Sequence, residues 1–395
     1  MYSFSGKIKL VAIISMVVGL LGIGYSFIAT PSTVEALGAH ASHDPAHAEH
    51  VLHLLQNKPW AALYVAALFF MLISLGVLAF YAINRAAQAG WAPILFRVME
   101  GITGYLPIGA LIFFLLLVFS GLHFNHLFIW MDPAVVAHDK VIQGKTGYLN
   151  VPFFLVRAAV YMIGWIAYRQ ITRKLSKAQD QAHDNRPFVK AFKWSAGFLV
   201  FFLVSESMMS WDWVMSVDPH WFSTLFGWYV FGSLIASAIA AIILVTVTLK
   251  SQGYLEHVND SHLHDLAKYL FGFSIFWTYL WFSQYLLYWY SNIPEEVTYF
   301  VTRLEHYEPI VLSMLAINFL LPLLILVDSD IKRKPWVVGT MAVVILVGHY
   351  LDFFNMIMPA TVGDQWCIGA GEIGSVLFFF GLFTFVTFRT LTKAP

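Results

Sequence analysis

Ten stretches of this chain are apolar over nearly the 20 or so residues that a helix needs to cross a bilayer. They fall at about 8–29, 60–83, 104–127, 149–169, 194–216, 221–249, 267–289, 307–327, 335–357 and 367–389. The first follows Lys7 and Lys9 and resembles a signal peptide, but its apolar run extends to Ala29 and predicts a retained helix. Polar residues collect between the runs. One segment, 30–59, carries His40, His43, His47, His50 and His53, and another, 169–193, is rich in Lys and Arg. Between the fifth and sixth runs only a short break at Asp218-Pro219-His220 intervenes, with the next helix expected from Trp221. So tight a connection predicts two antiparallel neighbours, and the region 194–231 reads as the centre of the chain.

Composition makes the pattern decisive. Of 395 residues 59% are hydrophobic and 12% charged, about half the charge of a soluble domain. The expected fold is an all-α integral membrane protein, one polytopic domain of about ten transmembrane helices. Basic and acidic residues balance at 23 each, so no bulk positive charge points to nucleic acid. The distribution of charge is another matter. If the N-terminus is cytoplasmic, 18 Lys and Arg lie on that side and 4 on the other, which predicts both termini inside. The 30–59 loop is then external and the 169–193 loop cytoplasmic. The single cysteine, Cys367, excludes an internal disulfide, a C-x-x-C-H haem attachment and a cysteine-ligated iron–sulfur cluster within this chain. Cys367 itself is expected to pack in a helix.

Carboxylates inside a bilayer need partners, water or protonation, so they are the first functional candidates. Glu206 lies midway along the fifth run and shares a helical face with Ser210. Asp212 is six residues further and points about 120° away, so the two do not form one paired site. Ser205, Met208 and Asp212 share a second face, where Asp212 is read either as a proton carrier or as a partner of nearby Trp indoles. His349 and Asp352 stand three apart on the ninth run, and His123 and His126 end the third. Together with Glu206 and Asp212 they make a candidate chain of proton carriers in one membrane half. Glu372 begins the tenth run, and Glu295 and Glu296 suit a solvated helix start. Arg157, in the fourth run, could pair with a carboxylate but is expected rather to snorkel outward. The histidines of 30–59 fix no coordination geometry, so no metal is expected there. The Asp-Pro pairs at 132–133 and 218–219 form a faint internal repeat.

The segment Pro219, Trp221, Ser223, Thr224 and Phe226, followed by Tyr229 and Gly232, resembles the P-x-W-x-S-T-x-F pattern of NrfD-like (polysulfide-reductase-type) membrane subunits. Among these it is most similar to the ActF-type subunit of bacterial alternative complex III. The preceding SWDW and the acidic Asp352 fit that resemblance, whose specific motif covers about 20 residues of the chain. Phe353 stands where an arginine would be expected in the quinol-binding paralogue. The resemblance implies two four-helix bundles with flanking helices, in a bacterial inner (cytoplasmic) membrane. It implies a place in a quinol-oxidising respiratory complex that passes electrons to an acceptor such as cytochrome c. The implied partners are a paralogous NrfD-like quinol-binding subunit, an iron–sulfur subunit, multihaem and monohaem cytochrome c subunits, lipids and a terminal oxidase. Haem c and iron–sulfur clusters would reside on those partners, with this chain contributing scaffold and a path for proton translocation. It would not be catalytic alone. Three alternatives remain open: a subunit that itself binds quinol near Asp212, His123 and His126, a secondary transporter, and a di-haem cytochrome b.

Overall fold

The computed structural model describes residues 2–35 and 45–393, which form helices and connections with no strand among them. The long helices are α1 (Gly6–Ala29), α2 (Pro45–Ala86), α3 (Pro93–Gly121), α4 (Val151–Gln181) and α5 (Arg186–Trp213). They continue with α6 (Phe226–Ser251), α7 (Asp260–Ser291), the shorter α8 (Pro294–His306), α9 (Glu308–Ile325), α10 (Pro335–Val362) and α11 (Ala370–Leu391). Among the described residues nine of these are long and apolar enough to cross a membrane: α1–α6 and α9–α11. The tenth expected span lies within α7, which is long enough at 32 residues but too rich in Tyr, Trp and Ser to reach the same hydropathy.

The centre of the bundle is not where the sequence placed it. The apolar window of α2 is 94% buried and that of α6 83%, whereas that of α5 is only 28% buried. The cause lies in the side chains. From Trp60 to Ile83 helix α2 carries no charge, and a helix apolar on every side belongs in the interior. Against α2 pack α3, α5, α6, α10 and α11. Helix α1 is peripheral, 11% buried in its apolar window, and is held chiefly by α11. Their contact is a seam of small residues. A Cβ on Gly19 would fall 2.4 Å from the Phe378 nitrogen, and one on Gly374 2.9 Å from Gly22 Cα.

Several boundaries differ from the sequence reading, each for a local reason. Helix α2 begins within the expected 30–59 loop, so His47, His50 and His53 are helical, while His40 and His43 lie outside the described residues. Ala48, Val51 and Leu52 are buried together, with Leu55 packed against them, at the spacing that drives a helix. The expected 169–193 loop is likewise mostly helix, since α4 runs to Gln181 and α5 starts at Arg186. Of its charges, Asp180 pairs with Arg97 of α3, which also bonds to Glu100 on its own helix at 2.7 Å, and Arg173 reaches the Thr390 carbonyl. Helix α3 ends at Gly121, leaving His123 and His126 in the turn beyond it. Cys367 is exposed in the non-helical lead to α11.

Two prolines shape the second half. Pro359, inside α10, removes the donor that the Asn355 carbonyl would receive. Arg303 of α8 supplies it, Nε donating to the Asn355 carbonyl at 3.0 Å and a terminal nitrogen to Met356 at 3.1 Å. Pro322 similarly frees the carbonyl of Asn318, and α9 widens there into a π turn, Ala316–Leu320.

Candidate functional site

The polar interior divides into three places. The first is an ion pair between α4 and α5. Arg157 Nε donates to Asp212 Oδ2 at 2.8 Å and a terminal nitrogen to Oδ1 at 2.9 Å, with the side chains 5% and 0% exposed. The Tyr161 hydroxyl adds a bond at 3.2 Å, and Arg157 also donates to the Tyr148 carbonyl at 3.0 Å. Its guanidinium lies over the Tyr148 and Phe153 rings at 3.8 and 4.3 Å. This corrects the expectation that Arg157 snorkels. A fork donor against a carboxylate satisfies both charges without reaching water. Desolvation pushes the Tyr148 phenol up from its ordinary range, with the Asp212 carboxylate adding to the effect.

The second place is Glu206. It is 3% exposed and accepts one side-chain hydrogen bond, from Ser210 Oγ at 3.2 Å. Ser210 also bonds back to the Glu206 carbonyl at 2.9 Å, the one-turn relation expected from the spacing. Among the described residues no Lys, Arg or His lies within ion-pair distance of it. Glu206 lines a cavity of about 260 Å³, whose other walls include Ile83, Phe202, Trp228 and Phe231. Glu206 and Asp212 are thus separate sites, as the helical geometry requires.

The third place is Asp352 on α10, wholly buried. The hydroxyls of Tyr229 and Ser233, one turn apart on α6, donate to its two oxygens. Trp277 Nε1 of α7 donates at 2.8 Å. His349 Nδ1 stands 3.8 Å from Oδ2, and the Trp277 and His349 rings meet edge to face at 5.5 Å. Both nitrogens of His349 lack a partner, as do both polar atoms of the Asn318 side chain in the π turn. Gly348 gives Asn318 its room, since a Cβ there would clash with Asn318 Oδ1. Unsatisfied polar groups in such a cluster are costly unless water or protons serve them. The His349–Asp352 pairing was legible from spacing, whereas Trp277 and Asn318 carried no sequence signal. Tyr229 and Ser233 did carry one, an i, i+4 polar pair in an otherwise apolar run.

The motif segment lies between these places. The expected tight turn is a longer connection, Val214–Leu225, with a 3₁₀ turn at Met215–Val217. Trp221 does not start α6 but turns inward to stack on Tyr299, ring centroids 3.9 Å apart. Burial pushes the Tyr299 phenol up to about 12. On the rim, His220 Nε2 meets Asp139 Oδ2 at 2.5 Å, and this contact holds the Asp139 carboxyl below its ordinary range. Beside the connection is a cavity of about 490 Å³, lined in part by Lys145, Tyr148, Trp211, Met215 and Trp221. The indole N–H groups of Trp211 and Trp221 have no partner. Ser223, Thr224 and Phe226 complete the segment, with Phe226 opening α6.

The remaining candidates do not join these places. His123, at positive φ, and His126 are exposed, and His126 stacks edge-on against His53 at 5.9 Å. His349 is buried on α10, so the histidines do not form one sandwich. No three His, Cys, Asp or Glu side chains among the described residues come together as a metal site needs. Glu372 caps α11 by accepting from Gly369 N–H at 2.9 Å. The Asp-Pro echo is partial: Asp132 caps the short helix Pro133–His138, whereas Asp218-Pro219 opens none. No protein-family model matches the chain, and no curated protein does so either.

Proposed function

We propose that this chain is an integral membrane subunit of a quinol-oxidising respiratory complex, of the ActF type in alternative complex III. In this reading it supplies scaffold and a proton path, while electrons pass through partner subunits carrying haem c and iron–sulfur clusters. One observation carries the proposal. Two buried carboxylates, Glu206 and Asp352, have hydrogen-bond donors but no Lys or Arg partner. They lie on different sides of α6, beside Trp228 and Phe231 in one case and Tyr229 and Ser233 in the other. A carboxylate held only by neutral donors can take up or give up a proton without stranding a fixed cation. The P-x-W-x-S-T-x-F segment, with Trp221 buried against Tyr299, adds the family resemblance. In this reading α7 is a tenth span and the skewed Lys and Arg place both termini in the cytoplasm of a bacterial inner membrane.

Isolation of the tagged chain from its native membrane tests the assignment. It should bring down a paralogous membrane subunit, an iron–sulfur subunit and c-type cytochromes with their haem absorbance. A chain that isolates alone and colourless from gently solubilised membranes overturns it.

A second reading, direct quinol binding, is favoured by the 490 Å³ cavity, whose lining includes Lys145, Trp211 and Trp221. A largely apolar cleft with a few polar groups suits a quinone. Quinone extracted in stoichiometric amount from the isolated chain, and lost in Trp221→Phe, would establish it; a Trp221→Phe chain that retains its quinone would refute this site.

A further inference from the structure

Near the start of α11 is a cavity of about 280 Å³ between α1, α2 and the lead to α11, and it plays no part in the function proposed above. Three reactive side chains line it: Lys58, Cys367 and Glu372. Lys58 Nζ lies 2.7 Å from Cys367 Sγ, across 309 residues of sequence. Cys367 is exposed, and it is the single cysteine of the chain, so no second thiol of this chain can resolve an oxidised sulfur. Glu372 is 3% exposed; one oxygen is pinned by Gly369 N–H, and the other, Oε1, is buried without any partner. A fixed acceptor with an open valence thus shares the cavity with an amine and an accessible sulfur.

We propose that Lys58 and Cys367 form an oxidative cross-linking site, closed by hydrogen peroxide to a sulfenamide. The thiolate sulfur attacks one peroxide oxygen, the O–O bond breaks, and the departing oxygen takes a proton from the Lys58 ammonium 2.7 Å from that sulfur, so that water leaves and the sulfenic acid and a free amine remain. Sulfur is thereby oxidised by two electrons and peroxide is reduced. The free amine then attacks sulfur, the S–O bond breaks, and a second water leaves with a proton from nitrogen. One thiol, one amine and one peroxide become one S–N bond and two waters. The bond ties the outer part of α2 to the entry of α11, and dithiol reductants reopen it.

The test is peptide mass spectrometry on the intact chain in native membranes, before and after titration with hydrogen peroxide. The expected product joins the Lys58 and Cys367 peptides, is lighter by two hydrogens, disappears with dithiothreitol and is absent from Cys367→Ser and Lys58→Arg. In Lys58→Arg, which keeps the charge but not the nucleophile, dimedone should label Cys367 at least about tenfold more than in the native chain, because the sulfenic acid has no amine to consume it. Equal dimedone labelling in both chains with no joined peptides overturns the proposal. A joined pair carrying an added oxygen overturns the sulfenamide chemistry.

Discussion

Removing Arg157 should be among the most damaging single changes in this molecule. Arg157→Met leaves the wholly buried Asp212 carboxylate with one side-chain donor, Tyr161 at 3.2 Å. Breaking a buried ion pair from one side costs about 3–5 kcal/mol, because the surviving charge stays desolvated. Asp212→Asn is milder. Its guanidinium partner keeps the Tyr148 carbonyl and the two aromatic faces. The double variant Arg157→Met with Asp212→Asn removes both charges and should recover much of the loss. The pair therefore predicts a coupling of about 2 kcal/mol or more, within the range for directly contacting residues. Reversible unfolding in mixed micelles, followed by tryptophan fluorescence on the native chain and these three variants, measures it. A coupling below about 0.5 kcal/mol would refute the reasoning, since it would mean that water reaches the pair and screens it. The same geometry predicts that Asp212→Asn, once assembled, leaves the pH dependence of turnover unchanged. A carboxylate held on two oxygens by a guanidinium is a structural ion, not a carrier.

Four further outcomes follow from the other sites. Glu206→Gln should assemble normally and keep quinol-linked electron transfer while coupled proton uptake in liposomes falls several-fold; unchanged rates and pH profiles would reduce Glu206 to a packed polar group. Asp352→Asn places an amide opposite three donors, Tyr229, Ser233 and Trp277, and should lower proton uptake and stability together, checked by uptake assays and thermal denaturation. Arg303→Met strips the donors from the Asn355 and Met356 carbonyls and should destabilise the chain by about 1–3 kcal/mol in the same micellar unfolding assay. The Asp139 carboxyl is held low chiefly by its bond from His220, so its folded value lies below its unfolded value of about 3.9; its contribution is present above that value and lost as pH falls through the folded one. Hydrogen-exchange protection of residues 214–225, taken against the unfolded-chain rate at the same pH, should therefore fall below about pH 4 in the native chain and be reduced at neutral pH in Asp139→Asn.

How much of this was legible depended on whether a signal was local. The apolar spans, the Glu206–Ser210 turn and the His349–Asp352 pair all follow from spacing along one helix; the structure has the turn and the pair, and nine of the ten expected spans among the described residues. Partners on different helices were not fixed by spacing. Arg157 and Asp212 are 55 residues apart, and snorkelling and pairing both fitted the sequence until α4 and α5 were seen in contact. Trp277 and Asn318 looked like ordinary aromatic and polar residues of a membrane helix. Arg303 meets the Asn355 and Met356 carbonyls only because α10 continues past Pro359, beyond the expected end of the ninth span at 357. Helix α7, expected as a span, falls short of the hydropathy of the other nine because tryptophan and tyrosine score as polar, although Trp277 is wholly buried. Amphipathic extensions, such as Ala48–Leu52 and the ends of α4 and α5, were read as loops because apolar length alone defined the spans.

The buried polar groups sort into two kinds, and the difference bears on function more than their number does. Arg157 with Asp212, Arg97 with Glu100, and Arg303 with the carbonyls of α10 are closed sets, in which each charge has a geometric partner. Changing the protonation of any member would strand the other, so these sets are suited to holding helices in register. Glu206, and the group of Asp352, His349 and Asn318, are open sets, with unpaired polar atoms or a cavity beside them. Adding or removing one proton there strands no Arg or Lys partner. Both open sets are lined by α6, the second most buried span, on different faces of that helix. In the function proposed above, a central helix with an open acidic site on each face would hold two proton-binding positions on opposite sides of one element. That arrangement ties the proposed proton path to α6 and to the Pro219–Phe226 segment that leads into it.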